Sequence, residues 1–266
     1  MDSVFAPNLL AKKAALVTGG GSGIGAGIAK LLAQHGATVA LVGRTLEKLE
    51  KVAAEITSAG GCASVHAADV REYAVLEKAV NDAATAFGRL DIVINSAAGN
   101  FLSPAANLSA NGFRAVVDID LCGSFNACRA AFVHLAKQGG TIVNITATQA
   151  HVPTPLQVHA GAAKAGIAKM TQDLALEWGR SGIRVVCVAP GPVEGTEGMS
   201  RLAPGTTADS LKKRVPLGRY ASIEEIAAAV LFLCTPAAGY VTGSTLLVDG
   251  GTSLIGAGPF LDMMGL

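Results

Sequence analysis

The feature that most constrains the fold of this chain is a glycine-rich turn close to its N-terminus. The turn reads Thr18-Gly19-Gly20-Gly21-Ser22-Gly23-Ile24-Gly25 and directly follows the short apolar run at residues 15–17. Apolar residues at helical spacing begin at the end of the turn and continue to residue 35. A buried strand, a glycine turn and a helix in this order are typical of a dinucleotide-binding unit.

Three glycines of this turn have separate physical roles. Gly19 lets the chain turn sharply after the strand, and Gly23 and Gly25 allow a pyrophosphate to approach the helix N-terminus. The free N–H groups and the dipole of the helix favour the negative charge of the phosphates. We therefore predict a cofactor site that includes Ser22 and Ile24. The alternative is a glycine-rich turn with a structural role only.

Strands and helices alternate along the rest of the chain. The pattern predicts an α/β fold: a single Rossmann-type doubly wound parallel sheet with helices on both faces, formed by residues 1–266 as one domain. Ligands of such sheets bind beyond the carboxyl ends of the strands. Helical patterns cover residues 111–137, and Lys164 is predicted to lie within a helix that runs to about residue 179. Thr45 is predicted to cap one helix, and a Ser222–Glu225 capping box to begin another.

The stretch from residue 194 to residue 215 interrupts this alternation. It contains Gly195, Gly198, Pro204 and Gly205, with only a weak amphipathic pattern. We predict a substrate lid here. The alternative is an ordinary surface excursion.

Composition excludes several classes of protein. Half of the 266 residues are apolar and the net charge is only +1, so no nucleic-acid or membrane surface is expected. No apolar run reaches the ~18 residues of a membrane span. Without a signal peptide or an S-K-L type C-terminus, the predicted location is cytoplasmic, with peroxisomal as the alternative. No metal spacing is visible, and we predict reduced core thiols for the five cysteines, Cys62, Cys122, Cys128, Cys187 and Cys234.

The end of the second strand indicates which dinucleotide is bound. NAD sites usually place a carboxylate there for the ribose hydroxyls, but this chain has Val42-Gly43-Arg44-Thr45. Because the Arg44 guanidinium can pair bidentately with a 2′-phosphate, we predict NADP. The alternative is that Arg44 is a solvated residue at a helix start. Asp69 is predicted to accept from the adenine amino group, or else to cap a helix.

Five motifs follow one another along nearly the whole chain: the glycine turn, Asn95-Ser96-Ala97-Ala98-Gly99, Lys164 in a helix, Pro190-Gly191 and Asp249-Gly250-Gly251. In this order they resemble the short-chain dehydrogenase/reductase family. The resemblance implies one Rossmann domain, a nicotinamide cofactor and a homotetramer built partly from the long helices before and after Ala147. It also implies that further residues contact the cofactor. The added cofactor residues are Val70, Asn95, Ala97, Lys164, Pro190, Gly191, Val193 and Thr196, the last bonded to the nicotinamide carboxamide.

The active-site positions depart from the usual family set of Asn, Ser, Tyr and Lys. Lys164 is kept, but Ala160 stands at the tyrosine position, Ala147 at the serine position and Asp120 at the asparagine position. Reduction of a ketone needs a proton delivered to its oxygen, normally from that tyrosine. Simple carbonyl reduction by the usual mechanism is therefore not expected.

One branch of the family is similar in this altered set, the peroxisomal-type 2,4-dienoyl-CoA reductases. The resemblance implies NADPH-dependent reduction of an unsaturated acyl-CoA thioester, with hydride added at the far end of the diene and a proton at the carbon next to the carbonyl. Because the thioester oxygen carries enolate charge on the way, stabilising that charge matters more than a phenol donor. The shared segments are residues 97–102, 118–120, 144–148, 158–161 and 190–198.

The resemblance also suggests roles for individual residues. Lys164 is expected to bond the nicotinamide ribose and, with Asp120, to hold a water that donates the proton. Direct donation by Asp120 is disfavoured, because a carboxyl group beside an ammonium is ionised near neutrality; the alternative is a structural partner. Asn100 is expected to donate to the thioester oxygen and Phe101 to contact the acyl chain, or else to belong to the core.

Thr148 and Gln149 are expected to line the substrate pocket. His159 lies next to the missing tyrosine position, but successive helix residues point about 100° apart, so we assign it no catalytic role. Two other functions stay open: an oxidoreductase acting on another enone or carbonyl, and a non-catalytic NADP(H)-binding scaffold. Loss of the serine and tyrosine favours the scaffold, whereas retention of Lys164 and Asp120 opposes it.

Overall fold

A parallel sheet is the central element of the computed structural model, which describes residues 4–196 and 212–257. Within these residues seven strands are aligned in the order β3-β2-β1-β4-β5-β6-β7, and every pairing is parallel. The strand order changes direction at β1, which lies between β2 and β4. The strands are β1 (Ala14–Thr18), β2 (Thr38–Gly43), β3 (Cys62–Ala67), β4 (Ile92–Asn95), β5 (Gly140–Ile145), β6 (Ile183–Pro190) and β7 (Thr245–Val248).

Helices cover both faces of the sheet, because successive strand residues point to opposite sides. In β1, Ala15 and Val17 belong to one apolar cluster and Leu16 to the other. The predicted fold class is therefore confirmed. The helices are α1 (Gly23–Gln34), α2 (Leu46–Ser58), α3 (Tyr73–Phe87), α4 (Ala110–Val117), α5 (Gly123–Leu135), α6 (Val158–Trp178) and α7 (Ile223–Cys234).

The long helix predicted over residues 111–137 differs from the observed structure. A π-helical segment, Asp118–Cys122, separates α4 from α5. Hydrophobic spacing does not distinguish such a segment from an α-helix, since it widens only one turn. Within it, the Asp120 side chain is buried in the protein interior.

Two other local predictions had different outcomes. The Ser222–Glu225 capping box at the start of α7 is confirmed. Thr45 does stand at the N-cap of α2, but the prediction that it caps the helix is wrong, since its side chain makes no capping hydrogen bond.

The cysteines only partly follow the prediction of core thiols. All five are free, and Cys128, Cys187 and Cys234 are buried. Burial raises the pKa of the Cys128 and Cys234 thiols to about 12. The prediction is wrong for Cys62 and Cys122, which are exposed. An apolar neighbourhood in sequence does not reveal which face of a strand or helix turn meets solvent.

Two further predictions concern the predicted lid and the membrane. Most of the predicted lid, residues 197–211, lies outside the described residues. Among the helices that are described, none is both long and apolar enough to cross a membrane.

Candidate active site

Two segments of the predicted site, the glycine turn after β1 and the loop after β4, meet at the carboxyl ends of these strands, next to the point where the strand order changes direction. Thr18 and Asn95 are register partners at the ends of these two strands. The Thr18 hydroxyl oxygen accepts hydrogen bonds from the N–H groups of Ser96 (3.2 Å) and Ala97 (3.3 Å). This bond pair holds the loop after β4 against the glycine turn, in the crevice where open α/β sheets bind ligands.

The glycine turn has no room for side chains at its key positions. Gly19 and Gly23 have φ angles of +67° and +52°. A Cβ on Gly19 would lie 2.8 Å from the Ala97 nitrogen, and one on Gly25 would overlap the Gly19 carbonyl oxygen. Ser22 is the N-cap of α1, yet its side chain caps no N–H group, and the first turn of α1 carries no acidic residue. Free N–H groups and close backbone approach fit a dinucleotide pyrophosphate.

Arg44 follows β2 and Asp69 follows β3, and the two side chains differ in their contacts with the rest of the protein. Arg44 is exposed and makes no hydrogen bond or ion pair with any residue that the structure describes. The Asp69 carboxylate is bound by the Arg71 guanidinium at 2.6 Å, and this hydrogen bond lowers the pKa of Asp69. The alternative that Asp69 caps a helix is wrong, because Glu72 is the N-cap of α3.

A buried ion pair lies at the position of the family's catalytic set. Lys164 Nζ is 3.1 Å from Asp120 Oδ2, and the two side chains are only 11% and 1% exposed. Asp120 Oδ1 accepts from the Gly99 N–H at 2.7 Å, and Lys164 Nζ donates to the Ile145 carbonyl at 3.2 Å. Each charge therefore has a charged and a neutral partner, as buried ions require.

This pair replaces a phenol with a charge-compensated centre. Ala160 is buried against Val116 and Ala163, so a methyl group occupies the tyrosine position. Two of the three N–H donors of Lys164 are used within the protein, which leaves one for a hydroxyl group or a water. The arrangement can stabilise developing negative charge and can hold a proton-bearing water, but it contains no phenolic acid.

The predicted substrate residues converge on a side chain that the sequence did not single out. Asn100 Nδ2 donates to Gln157 Oε1 at 2.7 Å, and Gln149 Nε2 donates to the same oxygen at 3.3 Å. Thr148 in turn donates to Gln149 Oε1 at 3.4 Å. Gln157 directly precedes the shared motif of residues 158–161, which is the only sequence signal that pointed to it.

Phe101 and His159 form a ring contact beside this amide cluster. Their centroids lie 4.5 Å apart at an interplanar angle of 42°. Phe101 is 40% exposed, so the alternative that it is an ordinary core residue is wrong. His159 is fully buried, and neither ring nitrogen has a hydrogen-bond partner among the described residues.

The remaining predicted cofactor residues differ in their distance from the glycine turn. The Thr196 methyl group is 3.9 Å from the Cβ position of Gly23, and the Thr196 hydroxyl donates to the Val193 carbonyl at 3.0 Å. Pro190 ends β6, and a Cβ on Gly191 would meet the Asp249 backbone. Val70 is buried against Gly123.

The Asn95 side chain belongs to a buried polar network that the sequence reasoning missed. Its Nδ2 donates to Asn144 Oδ1 at 2.8 Å, and Asn144 donates to Thr171 at 2.8 Å. These residues lie far apart along the chain: the pairing of β4 with β5 places Asn95 beside Asn144, and Thr171 comes from α6. The Asn95 side-chain nitrogen points into the protein, so only other atoms of Asn95 could contact the cofactor.

The parallel sheet, the glycine turn and the polar centre at the switch point define a dinucleotide-binding oxidoreductase. The family model described as Enoyl-(Acyl carrier protein) reductase matches residues 19–253. The chain thus belongs to this family of short-chain dehydrogenases/reductases. Membership implies a nicotinamide cofactor.

Known relatives cover nearly the whole chain. A peroxisomal 2,4-dienoyl-CoA reductase [(3E)-enoyl-CoA-producing] of Danio rerio is 46% identical, covering 99% of this chain and 89% of that protein. A probable 2,4-dienoyl-CoA reductase [(2E)-enoyl-CoA-producing] of Bacillus subtilis is 43% identical, covering 90% and 96%. Among solved structures, a citronellol catabolism dehydrogenase of Pseudomonas aeruginosa is 40% identical, with a TM-score of 0.85 and coverage of 95% and 100%.

Proposed function

We propose that this chain is an NADPH-dependent reductase of unsaturated acyl-CoA thioesters that acts on 2,4-dienoyl-CoA, as part of fatty acid metabolism. The observation that carries the proposal is the buried Lys164–Asp120 pair beside an alanine at the tyrosine position. A centre without a phenol suits protonation at carbon better than protonation of a ketone oxygen. The names of relatives that are 43% and 46% identical point to the same substrate class.

The proposed cofactor site follows the carboxyl edge of the sheet. Backbone N–H groups of the turn formed by Gly19, Ser22, Gly23, Ile24 and Gly25 hold the pyrophosphate in this proposal, since the N-terminus of α1 has no side-chain cap and no acidic residue. When bound, the cofactor supplies a hydride. The remaining proposed contacts are Arg44 at the 2′-phosphate, Asp69 and Val70 at the adenine, and Asn95, Ala97, Pro190, Gly191, Val193 and Thr196 around the nicotinamide half.

Lys164 and Asp120 assist the proton transfer in this proposal. The third N–H of Lys164 bonds the nicotinamide ribose, and the free lone pairs of Asp120 hold a water. That water donates a proton to the carbon next to the thioester carbonyl, and the Lys164 charge stabilises the hydroxide that is left until solvent protonates it. The second N–H of Asn100 donates to the thioester oxygen, Phe101 contacts the acyl chain, and Thr148 and Gln149 line the pocket.

Oxidation of NADPH with three thioesters tests the proposal directly. We expect turnover of a 2,4-dienoyl-CoA and at least about 100-fold lower kcat/KM for a 3-ketoacyl-CoA, whose oxygen needs a proton from the phenol acid that is absent. A 2-enoyl-CoA is also protonated at carbon, so its rate shows how much the second double bond contributes. Turnover of the ketoacyl substrate alone would favour a carbonyl reductase. Tight NADPH binding without any turnover would favour the scaffold.

Cofactor preference is expected to depend on Arg44. Arg44→Ala should raise the KM for NADPH by about 10- to 100-fold, because a charge-assisted bond to the 2′-phosphate is lost. The KM for NADH, which lacks this phosphate, should not change. Arg180→Ala is the matched control, since Arg180 is also an exposed arginine but lies beyond the end of α6. An equal effect on both cofactors would contradict the role of Arg44.

We also propose a homotetramer that uses α5 and α6. Large apolar side chains on these helices are exposed, among them Phe125 and Val133 on α5 and Leu176 on α6. Sedimentation equilibrium at four times the chain mass is the expected result. The location in the cytoplasm stays a prediction, and the Danio rerio relative is named peroxisomal; cell fractionation distinguishes the two compartments.

A further inference from the structure

The side chain of Gln157 is used in an unusual way for its position. Gln157 directly precedes α6 and is only 7% exposed, yet it makes no capping hydrogen bond to that helix. Its side-chain oxygen Oε1 instead accepts from Asn100 at 2.7 Å and from Gln149 at 3.3 Å. Gln157 thereby joins the loop after β4 to the short 3-10 helix after β5 (Thr148–Ala150), on the wall where the substrate is proposed to bind.

This pair of bonds determines the orientation of the Asn100 amide. An amide oxygen only accepts and an amide nitrogen only donates, so Gln157 Oε1 draws the Asn100 nitrogen toward itself. One N–H of Asn100 is used in this bond and the other stays available. Asn100 Oδ1 is left buried and without a partner among the described residues.

This orientation leaves one polar atom of Asn100 unsatisfied. A buried carbonyl oxygen without a donor is unfavourable, but rotation of the amide would place Asn100 Oδ1 against Gln157 Oε1, and both oxygens only accept. His159, two residues after Gln157, also lacks partners for both ring nitrogens. Polar groups held in place but left unsatisfied are characteristic of sites that are preorganised for a ligand.

We infer that Gln157 is a positioning residue that holds Asn100 in the orientation in which its second N–H donates to the thioester oxygen of the substrate. The inference rests on the proposed function, since the thioester comes from there. Gln157 touches neither the substrate nor the cofactor in this role. It acts through Asn100, so its removal should affect binding of the thioester and leave binding of the dinucleotide unchanged.

Gln157→Met tests the inference, because it keeps the length of the side chain and removes the accepting oxygen. The KM for dienoyl-CoA and the Kd of a saturated acyl-CoA should both rise about tenfold, as for one lost hydrogen bond. The Kd for NADPH should stay the same, and the melting temperature should fall by only a few degrees, because two buried donors lose their acceptor while the chain stays folded. Gln157→Glu retains accepting oxygens and should bind acyl-CoA within about threefold of the original chain.

A double-mutant cycle with Asn100→Ala separates positioning from a general structural role. If Gln157 acts through Asn100, the double variant should bind acyl-CoA no more weakly than Asn100→Ala alone. Additive losses, unchanged acyl-CoA binding in Gln157→Met, or misfolding of that variant would overturn the inference. The cycle measures binding and not turnover. If the original chain binds acyl-CoA but does not reduce dienoyl-CoA, the proposed reaction is wrong, and the cycle still tests whether Gln157 positions Asn100.

Discussion

Replacing Asp120 by asparagine is expected to lower kcat on a 2,4-dienoyl-CoA by about 10²- to 10⁴-fold, the usual contribution of general-acid help. The amide keeps the shape of the carboxylate and can still accept the Gly99 N–H bond, whose length is 2.7 Å. It removes the negative charge that faces the Lys164 ammonium at 3.1 Å. The water that Asp120 is proposed to hold beside this ion pair would lose its orientation, while the Kd for NADPH should not change.

The control for this variant is Asp118→Asn. Asp118 belongs to the same π-helical segment but, unlike Asp120, does not pair with Lys164. Its replacement should leave kcat within about threefold, because the half-buried Asp118 side chain is not part of the Lys164–Asp120 ion pair. Because Asp120→Asn leaves a buried lysine without its ion-pair partner, the melting temperature must be measured as well. Unchanged kcat in Asp120→Asn, or a loss no larger than the loss of folded protein, would show that Asp120 is only structural.

Replacing Gly25 by alanine is expected to weaken NADPH binding by roughly 100-fold or more, the equivalent of one or two charge-assisted hydrogen bonds to phosphate. A Cβ at this position would overlap the Gly19 carbonyl oxygen, so the turn and the start of α1 must separate. The free N–H groups would then no longer converge on one point. Fluorescence titration with NADPH measures the effect.

Gly179→Ala is the matched control for the glycine variant. Gly179 has φ −56°, and a Cβ there would have no neighbour within 4 Å. It should bind NADPH like the original chain and should not lose stability. Circular dichroism must show that Gly25→Ala is folded, and a folded variant with an unchanged Kd would be incompatible with a pyrophosphate site at this turn.

Much of the fold follows from patterns that are local in sequence. The alternation of short apolar runs with helical spacing predicts the parallel sheet, because each pattern reports which side of an element is buried. The glycine turn and the Ser222–Glu225 capping box are equally local, and the structure contains both. The π-helical segment at Asp118–Cys122 was missed, since one widened turn leaves the hydrophobic spacing almost unchanged.

The parts of the site that span several elements were less predictable. The sequence indicated Lys164 and Asp120 as partners only through a family resemblance, and nothing in their spacing shows a 3.1 Å contact. Gln157 was given no role, because a glutamine in front of a helix is not by itself a sequence signal for a functional site. Its role depends on two loops that strand pairing brings side by side.

The sequence by itself determined the class of fold and the glycine-rich turn, because these depend on residue type and short-range spacing. The resemblance to the family identified Ala160 and Ala147 as the positions where the phenol and the hydroxyl are missing. Only the tertiary structure decided that Asp120 and Lys164 are buried as a pair and that Gln157 orients Asn100. Such contacts join residues far apart in the chain, and their geometry is set when the parallel strands align their carboxyl ends at one edge of the sheet.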